Sequence, residues 1–333
     1  MKDYKKILED LEKKIYHPVY FLSGEEPFYI DLISDYIEDH VLTEEEKGFN
    51  QFIFYGKDTE EQTIIETARR FPMISNQQVI IVKEAQSLKT IELLKGYVEN
   101  PMKSTILVLN YKYKILDKRT AFAKAIQKNS ILFESPRLYE NKIPGWIENY
   151  LADVHYTITP QASVLLAEYL GTDLGKVANE LKKLIITLPE KTRITTEHIE
   201  KNIGISKDYN IYELQNALGD RDVLKANRII NYFANNPKSN PIQRTTVLLF
   251  IYFSKLFLYH FLKDKTEKSV AVSLGIHPYF VKSYSKAAKR YSTYKLYDIV
   301  GILREYDMKS KGFESNNVSD EGLLKEMIYK ILH

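Results

Sequence analysis

Short apolar runs recur through the first 135 residues of the chain and then stop. Val19-Tyr20-Phe21-Leu22, Phe52-Ile53-Phe54-Tyr55, Val79-Ile80-Ile81-Val82 and Thr105-Ile106-Leu107-Val108-Leu109 read as strands, with Ile131-Leu132-Phe133 as a fifth. Because consecutive positions are apolar, both faces of the sheet must be covered, which is the condition of a mostly parallel sheet between helices. Helical patterns lie between the runs. Phe28 to His40 turns Ile30, Leu32, Ile33 and Ile37 inward, and Ile91 to Val98 forms another helix. Thr59 with Gln62 three residues on predicts a capping box for the helix carrying Ile64, Ile65 and Ala68. The alternation predicts an α/β domain over residues 1–140.

After Pro136 the strand signals end, and the rest reads as helix. Ile143 to Leu151 is one. Thr159 as N-cap and Pro160 in the first turn open a second that Gly171 closes, Leu174 to Leu184 carries one apolar stripe, and Thr196 to Ile203 is a short fourth. These make a small helical domain, 141–207, with too little chain for a large core of its own. A further helical domain, 208–333, contains Ile211 to Leu218, Val223 to Phe233, Pro241 to Leu262, Tyr279 to Tyr291, Leu296 to Tyr306 and Glu321 to Ile331. Phe250, Phe253, Phe257 and Phe261 are expected to form a single buried aromatic stripe on the long helix. The polar stretch Lys309 to Ser319 reads as a connection.

The absence of cysteine excludes thiol catalysis, disulfides and thiolate metal sites. The run Val247 to Phe253 is too short to span a membrane, and Met1 to Lys6 leads into no apolar signal segment, so a cytoplasmic protein without membrane partners is expected. Charge is uneven. Residues 208–333 hold 19 Lys or Arg against 13 Asp or Glu, net +6, leaving 28 against 31, net −3, for residues 1–207. Within Lys263 to Lys295, eight basic residues face two acidic ones, interleaved with Tyr279, Tyr284, Tyr291 and Tyr294. Lys282, Lys286, Lys289 and Arg290 are therefore candidates to meet nucleic-acid phosphate or another subunit, and an ordinary solvated face is the competing reading.

A parallel sheet whose first strand runs through a glycine into a helix is where a phosphate-binding loop would sit. Here the stretch is Ser23-Gly24-Glu25-Glu26-Pro27-Phe28. Pro27 lacks an N–H donor, Glu25 and Glu26 repel phosphate, and no lysine or magnesium-binding hydroxyl stands in register, so no nucleotide cofactor is expected. The third strand leads into Lys83-Glu84, which leaves a lone carboxylate. No zinc signature or nucleophile turn is present, and neither a catalytic residue nor a metal site is predicted. A more informative segment is Arg69-Arg70-Phe71-Pro72-Met73-Ile74-Ser75, a turn with three large apolar residues before the third strand. Pro72 holds Phe71 extended. Such a tip can enter a pocket on a partner, or Phe71 and Ile74 can close the core of their own domain.

Taken together, several segments resemble the delta subunit family of the bacterial DNA polymerase III clamp loader. They are Val19 to Phe28, Arg70-Phe71-Pro72-Met73-Ile74, Val79 to Lys83, Leu116-Asp117-Lys118-Arg119, Gly171 to Leu174 with Asn179 to Leu184, and His277 to Lys282, in family order. The resemblance implies an AAA+-like first domain with a degenerate phosphate loop, a helical lid, and a helical collar that packs in a heteropentamer with gamma/tau and delta prime subunits. It implies that Pro72, Met73 and Ile74, supported by Phe71, bind the ring-shaped sliding clamp (the beta subunit) and open it for primed DNA, while ATP is hydrolysed by neighbouring subunits. Relatives often carry paired aromatics or leucines at the tip, where this chain has Met73-Ile74. An ATP-driven AAA+ replication factor and a standalone DNA-binding adaptor are the alternatives.

Overall fold

The computed structural model describes residues 4–204, 206, 208–313 and 318–333. Packing divides the chain into two units, Met1–Leu138 and Tyr139–His333.

The first unit is built on β1 (Val19–Gly24), β2 (Gln51–Tyr55), β3 (Gln78–Lys83), β4 (Thr105–Lys112) and β5 (Ile131–Ser135), all parallel, in the order β2-β3-β4-β1-β5. Its helices are α1 (Tyr4–Glu12), α2 (Pro27–His40), α3 (Glu44–Asn50), α4 (Glu61–Ala68), α5 (Lys95–Glu99) and α6 (Ala121–Asn129). Strand alternation sorts the core into two layers. Val19, Phe21, Ile80 and Leu107 face Ile64, Leu94, Tyr97 and Phe122 on one side. Tyr20, Leu22, Ile81 and Val108 face Ile7, Ile30, Ile33 and Ile37 on the other. The expected parallel sheet with helices packed on both faces is present.

One local expectation fails here. The helix after β2 starts at Glu61 with Glu60 as its cap and no side-chain cap bond, so Thr59 and Gln62 form no capping box. One residue of offset is enough, because it moves Gln62 out of the position that reaches back to the cap. Gln62 instead donates to Glu66 one turn on (3.0 Å), and the buried Glu61 accepts from the Thr90 amide.

In the second unit, α7 (Ile143–Asp153), α8 (Pro160–Leu170), α9 (Leu174–Thr187) and α10 (Thr196–Ile203) precede α11 (Ile211–Asp220), α12 (Val223–Asn235), α13 (Ile242–Phe261), α14 (Glu267–Leu274), α15 (Val281–Ala288), α16 (Thr293–Ser310) and α17 (Asp320–Leu332). Thr159 caps α8 and Gly171 ends it as expected. Strand does not vanish after Pro136: β6 (Thr157–Ile158) and β7 (Arg193–Ile194) make a two-residue parallel ladder, too short to leave a sequence signal. Of the polar stretch 309–319, Lys309 and Ser310 belong to α16, and residues 314–317 lie outside the described residues. No helix among the described residues is long and apolar enough to cross a membrane.

The single buried aromatic stripe on α13 is corrected. Phe253 is buried with Leu249, Leu256 and Tyr252, whereas Phe250 and Phe261 are exposed beside Val247 and Leu258, and Phe257 is half-buried. At 100° per residue, Phe250, Phe257 and Phe261 cluster within about 40° of each other, while Phe253 lies about 60° away from Phe250 on the core side. The long helix therefore carries two apolar faces, one packed and one bare.

A carboxylate is buried in the same unit. Glu168 of α8 is half-buried as a residue, and its Oε2 is out of solvent with no hydrogen-bond partner. Burial pushes its pKa up to about 7, against the opposing pull of the Tyr212 hydroxyl and the Arg244 guanidinium. A carboxyl with a raised folded-state pKa is favoured in its protonated form. Its contribution is intact below the ordinary value of 4.5 and is lost as pH rises through about 7. Glu168→Gln is expected to raise the melting temperature at pH 8, by the equivalent of at most roughly 3 kcal/mol, and to change it little at pH 5. A variant that melts at the parent's temperature at pH 8 would contradict this account.

Candidate protein-docking site

Several bonds fix the base of the Phe71–Ile74 segment between α4 and β3. The buried Gln78, first residue of β3, donates to the Thr67 carbonyl (2.9 Å) and stands 3.4 Å from the Thr105 hydroxyl. That hydroxyl donates in turn to the Ala68 carbonyl (3.0 Å), which the Tyr97 hydroxyl also reaches. The last carbonyls of α4, which have no partner within the helix, are thus satisfied from the sheet side. The Arg70 amide closes back on Thr67 (3.1 Å).

Beyond this base the side chains point away from the unit. Phe71 is 78% exposed, Met73 60% and Ile74 85%, with Pro72 half-buried between them. The competing reading, in which Phe71 and Ile74 close the core, is excluded by these exposures. Scattered single apolar side chains on a surface are ordinary, but three in four consecutive residues form a patch that water solvates poorly. Phe71 is as uncovered as the two residues it was expected to support.

Contact from behind the tip comes from α3, a helix the sequence reading did not anticipate. The Met73 amide donates to Asn50 Oδ1 (2.6 Å), and Asn50 Nδ2 donates to the Met73 carbonyl (2.6 Å). The signal was present in Thr43-Glu44-Glu45-Glu46. Thr43 and Glu46 form the capping box that opens α3, with the Thr43 amide donating to Glu46 (2.9 Å).

The loop after β1 is filled by its own side chain. Gly24 has φ +138°, and a Cβ there would stand 2.0 Å from the Ser135 carbonyl oxygen, so only glycine fits. The Glu26 amide donates to Ser135, and the Tyr113 amide donates to Gly24. Glu26 is buried and caps α2, its carboxylate accepting from the Phe28 amide (3.0 Å), while Pro27 supplies no donor. The helix N-terminus, where a phosphate would find free N–H groups, already holds an anion. At the end of β3, Lys83 pairs with Glu38 (3.0 Å), and Glu84 turns through a left-handed backbone with φ +55°. Among the described residues no three His, Cys, Asp or Glu side chains gather in a way that could hold a metal.

The basic candidates of the second unit are not equivalent. Asp220, at the end of α11, takes Lys286 (2.8 Å) and Arg290 (2.5 Å), and the Lys286 hydrogen bond is the chief reason its pKa falls below the usual carboxylate range. Lys282 and Lys289 are exposed. Two of the interleaved tyrosines are core residues: Tyr284 is buried, and so is Tyr291, whose hydroxyl donates to Leu218 (2.6 Å). Tyr279 and Tyr294 are exposed.

Residues 20–135 match the family model for the DNA polymerase III delta subunit, and residues 208–331 match the model for that subunit's C-terminal domain. The chain is similar to DNA polymerase III subunit delta of Bacillus subtilis (strain 168), with 25% identity over 319 residues covering 91% of each chain. Its fold is similar to that of the Bacillus subtilis DNA clamp loader delta protein, with a TM-score of 0.58 and 22% identity over 99% of each chain.

Proposed function

The chain belongs to the DNA polymerase III delta subunit family, and on that premise we propose that it is the subunit of a clamp loader that binds the sliding clamp and holds it open without burning ATP itself. The observation that carries this reading is the projecting tip, with Met73 and Ile74 turned to solvent above a fixed base. A ring that closes through its own subunit interface can be shifted toward an opened form by any ligand that binds that form better, by the ratio of the two affinities. A tenfold shift requires about 1.4 kcal/mol. Burying two large apolar side chains, at roughly 1.5–3 kcal/mol each, would supply that difference if part of the burial is available only in the opened form.

Hydrolysis would belong to neighbouring gamma/tau subunits in a pentamer that also contains delta prime and encloses primed DNA. The filled loop at Glu26 supports this division of labour, since its carboxylate and Pro27 leave phosphate neither charge nor donors. Isolated chain is expected to show no saturable binding of magnesium-ATP at millimolar concentration by calorimetry; tight binding would favour the ATP-driven alternative. Residues 141–207 would serve as the lid and 208–333 as the collar. The bare face of α13, with Val247, Phe250, Leu258 and Phe261 exposed, suits packing against another subunit. Of the four basic candidates, Lys282 and Lys289 are exposed and not engaged by Asp220, and so the ones to meet DNA phosphate or a neighbour. Titrating purified sliding clamp into the chain tests the reading: saturable binding is expected, and none at tens of micromolar, a range where even weak specific pairs associate, would overturn it.

A further inference from the structure

The bonds behind the tip join a single side chain to both peptide groups of a single residue. Asn50 is 1% exposed, and its carboxamide accepts from the Met73 amide and donates to the Met73 carbonyl, both at 2.6 Å. Its second Nδ2 proton reaches the Glu46 carbonyl (3.2 Å), one turn back in α3. Only one orientation of the amide serves, because turning it over would set Oδ1 against two carbonyl oxygens. The pairing copies what a neighbouring strand would offer Met73, at a place where the tip has no strand beside it.

Glu46, the capping-box residue of α3, has its carboxyl held below its ordinary pKa first by the Thr43 amide and then by the nearby Ser75 hydroxyl. Directly after the anchored Met73 stands Ile74, a β-branched residue at φ +63°, a conformation such residues adopt only when their surroundings impose it. Met73 is thus tied to α3 next to a residue that would otherwise relax, and the apolar side chains are presented outward with the Met73 backbone already ordered. Preordering of this kind raises affinity by removing an entropic cost that binding would otherwise bear.

We propose that Asn50 is a positioning residue for clamp engagement, acting through the Met73 backbone without touching the clamp. The inference rests on the proposed role of the tip and deepens it. The test measures sliding-clamp affinity by calorimetry for the full chain and for Asn50→Ala, Asn50→Asp, Met73→Ala, the double variant Asn50→Ala with Met73→Ala, and Met73→Ala with Ile74→Ala, with a melting curve for each. Asn50→Ala is expected to weaken binding about tenfold. In its background Met73→Ala is expected to lose much less than in the parent, because a side chain no longer held in place contributes less. A merely structural loss would leave the Met73→Ala factor the same in both backgrounds, and that result overturns the inference. Should Asn50→Ala melt far below the parent, Asn50→Asp carries the test: it keeps an acceptor for the Met73 amide but turns a carboxylate toward the Met73 carbonyl, and it too is expected to bind weakly. If both Asn50 variants bind within twofold of the parent while the paired tip variant is weakened, positioning by Asn50 is wrong and the docking role stands. If the paired tip variant binds normally, the docking role itself fails, and the inference with it.

Discussion

Replacing Met73 and Ile74 together with alanine is expected to weaken sliding-clamp binding at least tenfold while leaving the circular dichroism spectrum and pentamer assembly unchanged. The two halves of the expectation have one cause. Both side chains are largely exposed, so the free protein gains almost nothing from them, and truncation should alter folding stability by no more than about 0.5 kcal/mol. A partner pocket that buries them gains the full transfer term, about 1.5–3 kcal/mol for each complete burial. Partial burial and the shared neighbourhood of the two residues reduce the sum, and tenfold, or about 1.4 kcal/mol, is a floor. Calorimetric titration of the clamp reads the effect directly. Parent-like affinity in the double variant would remove the tip from the docking surface.

The second large effect lies in the second unit. Phe253→Ala is expected to destabilise the chain by about 3–5 kcal/mol, whereas Phe250→Ala, one turn away on the same helix, should change stability by less than about 1 kcal/mol. Phe253 is fully buried, with edge-to-face contacts to Tyr252 (5.1 Å) and Tyr291 (5.7 Å). Removing its ring leaves a cavity that helices pinned by α16 and α15 cannot collapse to fill. Phe250 faces solvent and leaves no cavity. Urea unfolding of the two variants separates them, and equal midpoints would show that the two faces of α13 have been misassigned. Pentamer formation should respond in the reverse order if the bare face meets a neighbouring subunit.

The contrast between these phenylalanines also marks where sequence reading stops. Strands β1, β3 and β4 were legible because a strand buried on both faces must be apolar at consecutive positions, a demand few other elements make. The edge strands β2 and β5 are only partly buried and were legible as short apolar runs. The tip was legible as a place, since Phe71, Met73 and Ile74 crowd into a turn around Pro72. Whether those residues point in or out was not, because that depends on bonds from residues far along the chain. Asn50, which holds Met73 from 23 positions away, sits in a helix with almost no apolar stripe, announced only by the cap at Thr43. Asp220 is 66 residues from Lys286, so a basic cluster read from local composition turned out to be half neutralised. On α13 the spacing of the four phenylalanines was consistent with one stripe, and only the packing of Leu249, Leu256 and Tyr252 revealed where the core side ends.

Glu26 at the cap of α2 bears on timing. A side chain is a ligand that never leaves, and its local concentration is indifferent to how much ATP the cell holds. On the proposed reading, the loop beside β1 would have a single state where a nucleotide-charged loop has two, with no means of telling the sheet that fuel has been bound or spent. A lysine grafted into the stretch would not restore such signalling, since the carboxylate would first have to be evicted from its post. On that reading, any clock that decides when the tip engages or lets go would run in another polypeptide and reach this one through the surfaces it presents.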